Sequence, residues 1–354
     1  MAACHHGLEP QALIDAFIRH PPDGFLAHAA ADGTPWFTTR FDLLTTLNND
    51  DRDRLSRLPG FRFWRRLLRW PACFIGTTVS EYSPQPVGIE PADYLRRARR
   101  LPGSPALTII KDLPCDSPLL PAADNLAARR LFALAPREGF ISVAGQALAY
   151  VPVHFDSIDE YLARLSHSRR RNLRRKLRSR DALRLEILPT GDPRLASAAW
   201  RGTLYRYYLA VYDQSEIHFD RLSADFFDAL LQDPDSGGRL FCYWHDDHLV
   251  GFNLCYVHGG NLVDKYIGFD YAQALRFNLY FVSWFANLEY AIEQGLRYYV
   301  AGWTDPQVKA QLGASFTMTR HLVWVRNPLL RALLRRLSHH FESDSDILLQ
   351  QGEA

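Results

Sequence analysis

The densest group of chemically active side chains is a basic run between residues 166 and 180. It holds seven Arg and one Lys among fifteen residues, and no acid. Like charges at i and i+4 destabilise a helix that lacks an anionic partner, and the planar fork of Arg grips phosphate oxygens by two hydrogen bonds. Arg170, Arg171, Arg174 and Arg175 are therefore candidates for binding phosphate or an anionic membrane surface. The alternative is a solvated helix face.

A second set of candidates could move protons or hold an anion in the second half of the chain. Three carboxylates could act as bases, although no pair of them has a convincing spacing, and two tyrosines could give a proton to a leaving group. Two lysines could contact an anion or could simply be surface residues. These candidates are Asp264, Asp270, Asp305, Tyr266, Tyr280, Lys265 and Lys309.

Composition limits the class of protein. The chain has 354 residues, 47% of them apolar and 23% charged, which is typical of a soluble globular protein of about two domains. A net charge of +2 gives no global electrostatic case for nucleic acid. The five cysteines lack ligand-like spacing, so we expect no metal site and no disulfide. Without a signal peptide or an apolar stretch of membrane-spanning length, the expected location is the cytoplasm.

The first half alternates strand and helix signals. Apolar β-rich runs bounded by turn formers predict strands over residues 36–44, 73–79, 106–111 and 140–153. Helical periodicity predicts helices over residues 50–70, 90–101 and 122–134. One long helix is then predicted over residues 156–180, which includes the basic run.

The second half has the clearer pattern. Strands are predicted over residues 183–188, 239–244, 249–257, 262–269, 297–301 and 317–325, and helices over 192–212, 224–231, 278–294, 306–312 and 326–341. Three antiparallel strands followed by strand–helix–strand form a mixed sheet with helices on both faces. Ligands of such sheets lie beyond the carboxyl ends of strands, where a helix start offers free N–H groups to an anion. Here that position is occupied by Phe277, Asn278 and Leu279.

Several stretches resemble the FemAB-like and BioF2-like group of the GNAT superfamily of N-acyltransferases. Residues 264–270, residues 277–280, Gly295, and Lys309 with Leu312-Gly313 look like the pattern of that group. Residues 168–175 are similar to the basic helix that precedes this domain, and residues 110–114 to a strand end in FemAB-like proteins. The resemblance covers about residues 105–325. The chain lacks the Q/R-x-x-G-x-G/A phosphate loop of simple GNAT enzymes, which fits the FemAB-like branch.

The resemblance implies a mixed-sheet α/β fold of tandem GNAT-like domains. Its implied parts are residues 1–153, a basic connecting helix at 154–182, an acyltransferase domain at 183–325 and a basic tail helix at 326–354. It also implies acetyl-CoA or another acyl-CoA as co-substrate. The thioester would lie between the strands at 262–269 and 297–301, with phosphates near Phe277, Asn278, Leu279 and the basic helix. Catalysis would fall to Lys265, Tyr266, Tyr280 and Lys309, with Tyr280 protonating the departing thiolate.

Three functions are open at this point, and the sequence favours the first, because FemAB bridge enzymes usually carry a coiled-coil arm for tRNA and no stretch of this chain sustains heptads for that long. The first is transfer of an acyl group from acyl-CoA to an amine on a small molecule, an amino sugar or a lipid-linked acceptor. The second keeps the fold but uses aminoacyl-tRNA as donor, as FemAB enzymes of cell-wall synthesis do. The third is a non-catalytic protein that binds nucleic acid, or an anionic membrane at the inner face, through the basic helix. Aromatic residues do not interleave the basic run, which counts against nucleic acid other than tRNA.

Overall fold

The computed structural model describes residues 4–5, 7–42, 54, 56–57, 59–61, 65–103, 105–215 and 219–337. Within these ranges the strands are β1 (Cys4–His5), β2 (Leu26–Ala29), β3 (Pro35–Asp42), β4 (Arg69–Ile75), β5 (Gln85–Pro86), β6 (Leu107–Cys115), β7 (Ile141–Pro152), β8 (Arg184–Pro189), β9 (Gly238–His245), β10 (His248–His258), β11 (Asn261–Phe269), β12 (Tyr298–Gly302) and β13 (Ser315–Val325).

The α-helices in the same ranges are α1 (Gln11–Arg19), α2 (Pro91–Ala98), α3 (Ala122–Leu134), α4 (Ile158–Ala163), α5 (His167–Leu177), α6 (Ala198–Gln214), α7 (Ala224–Leu231), α8 (Tyr271–Ala274), α9 (Leu279–Glu293), α10 (Pro306–Leu312) and α11 (Pro328–Leu337). The chain divides into two compact units. Unit 1 comprises residues 1–7, 24–147 and 317–354, and unit 2 comprises residues 8–23 and 148–316.

Unit 1 is built on a mixed sheet. β2, β3 and β4 form an antiparallel meander, and β6 then runs parallel to β4 with Ala72 to Ile75 opposite Leu107 to Ile110. The other edge of β6 pairs antiparallel with β13, where Leu322 lies opposite Ile110. Helices α2 and α3 cover the sheet with Leu95 and Leu131, which are fully buried in its core.

Unit 2 repeats this plan with longer strands. β8, β9, β10 and β11 form consecutive antiparallel pairs. β12 then runs parallel to β11, and the last residues of β7 complete the sheet as the antiparallel partner of β12. The apolar face of α9 packs on this sheet through a core that includes Phe285, Leu288 and Tyr299. The predicted mixed α/β class of two GNAT-like halves is confirmed.

The turn and cap signals of the second half are also confirmed. β9 and β10 are joined by two residues, of which Asp246 has a φ of 52°, and β10 and β11 are joined by Gly259 and Gly260, with φ of 56° and 78°. Such positive φ values suit two-residue hairpins because they match the twist of the flanking strands. The strand–helix order from β9 to β13 is the predicted one, apart from the short helix α8 between β11 and α9.

Several predicted elements differ in the structure, among them the helix predicted over 192–212, which is a 3-10 turn at Pro193–Ala196 followed by α6. Residues 156–180 form two α-helices and a 3-10 turn, because Ser166 caps α5 by accepting a hydrogen bond from the Arg169 N–H and so begins a new helix. The helix predicted over 50–70 lies partly outside the described residues, and its end is a 3-10 turn at Arg65–Leu68 followed by β4. The tail helix is described as α11, and residues 338–354 lie outside the described residues.

The division into units departs from the predicted boundaries. Residues 8–23 belong to unit 2, whereas residues 317–325 of β13 belong to unit 1. For the strands the cause is an exchange of final strands. β7 follows the elements of the first half yet pairs with β12, and β13 follows the elements of the second half yet pairs with β6.

Candidate active site

The two parallel strands of unit 2 separate after a short stretch of pairing. β11 and β12 pair only from Asn261 to Val263 against Tyr298 to Val300. A β-bulge follows at once, because Asp264 lies opposite Cys255 while Tyr266 lies opposite the preceding residue, Leu254. The extra residue, Lys265, shifts the side-chain alternation, so that Asp264 and Tyr266 contact different residue sets. The bulge therefore places Asp264 at the opening between the two strands.

Asp264 is held by donors from three elements. One carboxylate oxygen accepts hydrogen bonds from Asn287 Nδ2 on α9 at 2.9 Å and from the Tyr299 hydroxyl on β12 at 3.1 Å. Asn253 Nδ2 on β10 lies 3.1 and 3.2 Å from the two oxygens. Burial raises the pKa of Asp264 above 3.8, and the hydrogen bonds of Asn253 and Tyr299 and the charge of Lys309 oppose that rise.

The amide oxygens of this cluster have unfilled acceptor capacity. Asn253 and Asn287 are buried, and each turns its NH₂ group to Asp264, since an amide oxygen would be repelled there. Their Oδ1 atoms have no hydrogen-bond partner among the described residues. Buried polar atoms rarely remain unpaired. The cluster around Asp264 is therefore rich in acceptors, which suits a ligand that carries N–H donors.

Lys309 brings a positive charge to the same place. It is only 5% exposed and donates a hydrogen bond from Nζ to the Ala301 carbonyl at 2.6 Å. Gly302 follows with a φ of 78°, and a Cβ atom there would lie 3.9 Å from the Asp264 carbonyl oxygen and 4.0 Å from Lys309 Nζ. A side chain at this position would therefore be strained and would narrow the space between Asp264 and Lys309.

Tyr280 lies in the first turn of α9 beside this pair. Burial raises its pKa above the ordinary value of 10, and the nearby charges of Asp305 and Asp264 raise it further. Its phenol is therefore neutral at pH 7 and can donate a hydrogen bond. The structure thus brings together Tyr280 and Lys309 from the predicted catalytic set, with Asp264.

Lys265 and Tyr266 are placed elsewhere in unit 2. Lys265 forms an ion pair with Glu9 at 3.2 Å, and both side chains are buried. Tyr266 packs among the aromatic rings of α6 and α7, with its ring centroid 5.3 Å from that of Phe227 and 6.3 Å from that of Tyr208. Their surroundings are those of core residues, and they share no described contact with Lys309.

The predicted phosphate site at the start of α9 has two of its donors occupied. The N–H groups of Phe277 and Asn278 donate to the carbonyls of Gln273 and Leu275. Asn278 has a left-handed conformation with a φ of 50° and makes no side-chain cap, and Phe277 and Leu279 are buried. The segment as it lies therefore offers an anion fewer N–H groups than expected.

The basic helix presents its arginines along an open groove. The groove has a volume of about 810 Å³ and is lined by His167, Ser168, Arg170, Arg171, Asn172, Arg174, Arg175 and Arg178. Arg174 pairs with Asp159 at 2.8 Å, yet more than half of its side chain is exposed. On its other side α5 packs against α9, through buried Leu173 and through Lys176, whose Nζ lies 3.2 Å from the Phe281 ring centroid. The groove therefore lies close to the start of α9.

Sequence analysis missed Asn253, Asn287 and Tyr299 as members of the cluster. Asn253 and Asn287 each interrupt an apolar run, and a polar residue in such a run is the sequence feature that could have indicated a buried site. Asp264 was named only beside Asp270 and Asp305, and Asp264 alone of the three belongs to the hydrogen-bonded cluster. Asp270 caps α8 and lies 2.7 Å from His248 Nε2, while Asp305 is exposed before α10. Among the described residues, no group of His, Cys, Asp and Glu could hold a metal ion.

The fold is a mixed α/β fold of two units, and unit 2 has a polar opening between its two parallel strands. The family model for FemAB-like proteins, described as peptidoglycan biosynthesis and recognition, matches residues 126–351. The match covers more than half of the chain, which therefore belongs to the FemAB-like family. A comparison with curated proteins found no match. No helix in the described part of the chain is long and apolar enough to span a membrane.

Solved structures share the fold at low sequence identity. L-PGS from Bacillus licheniformis has a TM-score of 0.54 at 12% identity, with 94% of this chain and 98% of that chain covered. The C-terminal domain of a protein assigned as a lysylphosphatidylglycerol synthetase from Agrobacterium fabrum has a TM-score of 0.53 at 12% identity, covering 91% and 93%. FemX has a TM-score of 0.52 at 13% identity, covering 91% and 97%.

Proposed function

We propose that this chain transfers an activated acyl group to an amine at the opening between β11 and β12. The observation that carries the proposal is the cluster of Asp264, Lys309 and the two amide oxygens of Asn253 and Asn287. It combines a carboxylate, an ammonium and unfilled acceptors within one site of unit 2. An acyl transfer needs these groups, since an amine must lose a proton and a carbonyl oxygen must gain negative charge.

Each group has a role in this proposal. The amine attacks the carbonyl carbon, a C–N bond forms, and the Lys309 ammonium stabilises the charge on the carbonyl oxygen. Asp264 accepts the proton of the amine, for which its raised pKa is favourable. The bond to the leaving group then breaks, and Tyr280 gives the leaving atom a proton that solvent restores.

The proposed donor is an aminoacyl ester of tRNA. The description of the family refers to peptidoglycan biosynthesis, and two structures with a similar fold are FemX and a lysylphosphatidylglycerol synthetase domain. The state of Tyr280 adds a chemical reason. Its raised pKa makes it a poor acid for a thiolate, whose conjugate thiol has a pKa near 8.5, but an adequate one for the far more basic alkoxide of a ribose ester. The acceptor in this proposal is an amine of a cell-wall precursor or of a lipid-linked compound.

Acyl-CoA is the second candidate donor. It is supported by the order of strands and helices from β9 to β13, which resembles that of acyl-CoA-dependent GNAT enzymes. The occupied N–H groups of Phe277 and Asn278 count against its pyrophosphate binding there. The arginine groove on α5 can neutralise the phosphates of either donor.

A donor panel tests the function. We expect the purified chain to bind aminoacyl-tRNA and to move its aminoacyl group to an amine acceptor, measured by mass spectrometry, and to leave acetyl-CoA and longer acyl-CoAs unused. Lys309→Met should lower the turnover at least about a hundredfold, because an oxyanion donor typically contributes that much. Gln307→Met, an exposed change on the same helix, is the control and should alter neither turnover nor melting temperature.

Two results would overturn this assignment. If the protein used acyl-CoA in preference to aminoacyl-tRNA, the proposed donor would be wrong and the proposed class, an acyltransferase, would remain. If the folded Lys309→Met variant kept the turnover of the wild type, the active site would not lie at the opening between β11 and β12.

A further inference from the structure

The helix α11 leaves leucines in contact with solvent. Leu329 is 80% exposed, Leu333 is 52% exposed and Leu330 is 38% exposed. Exposed leucines that follow one another along a helix face form an apolar stripe, which single surface leucines do not. Leu329 and Leu333 are spaced by four residues, so they are neighbours on the helix surface.

The opposite side of α11 attaches the helix to unit 1. The Arg331 guanidinium carbon lies 5.4 Å from the Trp324 ring centroid. Leu334 is half-buried. Asn327 fixes the start of the helix, since its side-chain oxygen accepts hydrogen bonds from the N–H groups of Leu329 and Leu330 at 2.9 and 3.3 Å. A rotation of about 100° per residue places Leu329 and Leu333 about 160° from Arg331 around the axis. The exposed stripe is therefore held facing away from its unit.

The charge of this segment is of one sign. Arg326, Arg331, Arg335 and Arg336 are the charged residues between positions 326 and 337, and no acid is among them. Arg336 is exposed and lies about 20° from Leu329 around the helix axis, at the border of the leucine stripe, whereas Arg335 lies on the other side of the helix. Leucines bordered by arginines suit the boundary of an anionic bilayer, where the apolar face enters the acyl region and the arginines reach the lipid phosphates.

We propose that α11 binds flat on an anionic lipid bilayer through Leu329, Leu330 and Leu333, with Arg336 on the headgroup phosphates. A helix of ten residues lying in the plane of the interface reaches one leaflet and does not cross the membrane. This surface differs from the arginine groove of α5, because α11 combines its charge with exposed apolar side chains. The proposal stands apart from the transfer reaction, since it needs neither donor nor acceptor.

Vesicle co-flotation of the full chain tests the proposal. The probes are vesicles of phosphatidylcholine alone and vesicles that also contain phosphatidylglycerol. We expect binding to the phosphatidylglycerol vesicles that weakens with salt, and little binding to phosphatidylcholine. The double change Leu329→Gln with Leu333→Gln should lower the partition coefficient at least about tenfold, since each side chain loses its transfer from water. Arg336→Gln should lower it roughly fivefold.

The matched control is Leu126→Gln on α3, where the leucine is 44% exposed in the same unit. It should leave vesicle binding unchanged. Three results would each overturn the proposal. These are equal binding to both vesicle types, vesicle binding that survives the double leucine change, and a shift from dimer to monomer in analytical ultracentrifugation on that change. The last result would assign the stripe to a second copy of the chain.

Discussion

Asp264 is a carboxylate that the fold keeps away from bulk water, with donors from β10, α9 and β12 around it. Burial raises its pKa above 3.8, so the folded protein holds the proton of Asp264 to a higher pH than the unfolded chain does. The stability that this group contributes is complete below 3.8 and is lost as the pH rises through the raised pKa. Ionised Asp264 is therefore maintained at a cost to stability, as is common for groups that serve a reaction.

Asp264→Asn tests this coupling between charge and stability. We expect the free energy of unfolding of the wild type, minus that of the variant, to be largest below pH 3.8 and to fall as the pH approaches neutrality. Denaturant unfolding across this range measures the difference. The matched control is Asp305→Asn, an exposed carboxylate with no side-chain cap bond. If the stability advantage of the wild type over the Asp264→Asn variant grew with pH instead, the charged form would be the stabilised one.

The residues of the site were only partly predictable. Lys309 and Tyr280 were named because the stretches around them resemble the family, and the structure places both beside Asp264. Tyr266 was named on the same ground. Strand alternation alone would put Tyr266 on the same face as Asp264, and the bulge at Lys265 separates them. Nothing in the local pattern of residues 262–269 signals that bulge, because it depends on the register with β10.

Helix α5 connects the charge pattern of the sequence with the site. Its arginines line the groove, while Leu173 and Lys176 fix its other side against α9. The break that separates α4 from α5 could not be predicted from periodicity, since apolar residues continue at helical spacing through it. The break is set by Ser166, which caps α5. The two hairpins of β9, β10 and β11 were predicted correctly, because their turn residues are a strong local signal.

The role of the α5 groove is testable through its salt dependence. Changing Arg170, Arg171, Arg174 and Arg175 together to Gln should weaken tRNA binding and reduce the slope of log affinity against log salt by about three, since each phosphate contact contributes a little under one. Fluorescence anisotropy with labelled tRNA measures the slope. The matched control changes four exposed arginines of α2 and α3, which are Arg96, Arg97, Arg129 and Arg130. An unaltered slope in the first variant would show that the arginines of α5 are a solvated surface and do not contact the phosphates of tRNA.

At the scale of the molecule, the two units have the same plan and each receives its last strand from a distant part of the chain. Sequence analysis grouped β13 with the elements before it, because a short connection usually keeps neighbours together. Pairing between β6 and β13 joins segments about two hundred residues apart, and no local pattern specifies such a partner. The order of elements was therefore predictable, and the exchange of final strands was not.

This exchange predicts where a core mutation in β13 acts. Leu322 is fully buried in the core of unit 1 with Ile110 and Leu113. Leu322→Ala should cost about 2–5 kcal/mol of stability through the cavity that it leaves. Hydrogen exchange followed by mass spectrometry should show the loss of protection in residues 24–147. The control is Arg320→Gln, an exposed change in the same strand, which should leave the protection of unit 1 unchanged. Loss of protection confined to residues 148–316 would assign β13 to unit 2.

The strand exchange also governs the order in which a ribosome can complete the protein. Most of unit 1 is synthesised by residue 147, but β6 has no partner on its other edge until β13 emerges. At cellular elongation rates the intervening residues take roughly ten seconds or longer to synthesise. Throughout that interval one edge of β6, which includes Ile109 and Ile110, is unpaired and can pair with another strand. We therefore expect chaperones that hold unpaired strand edges to bind the nascent first unit until translation has passed Val325.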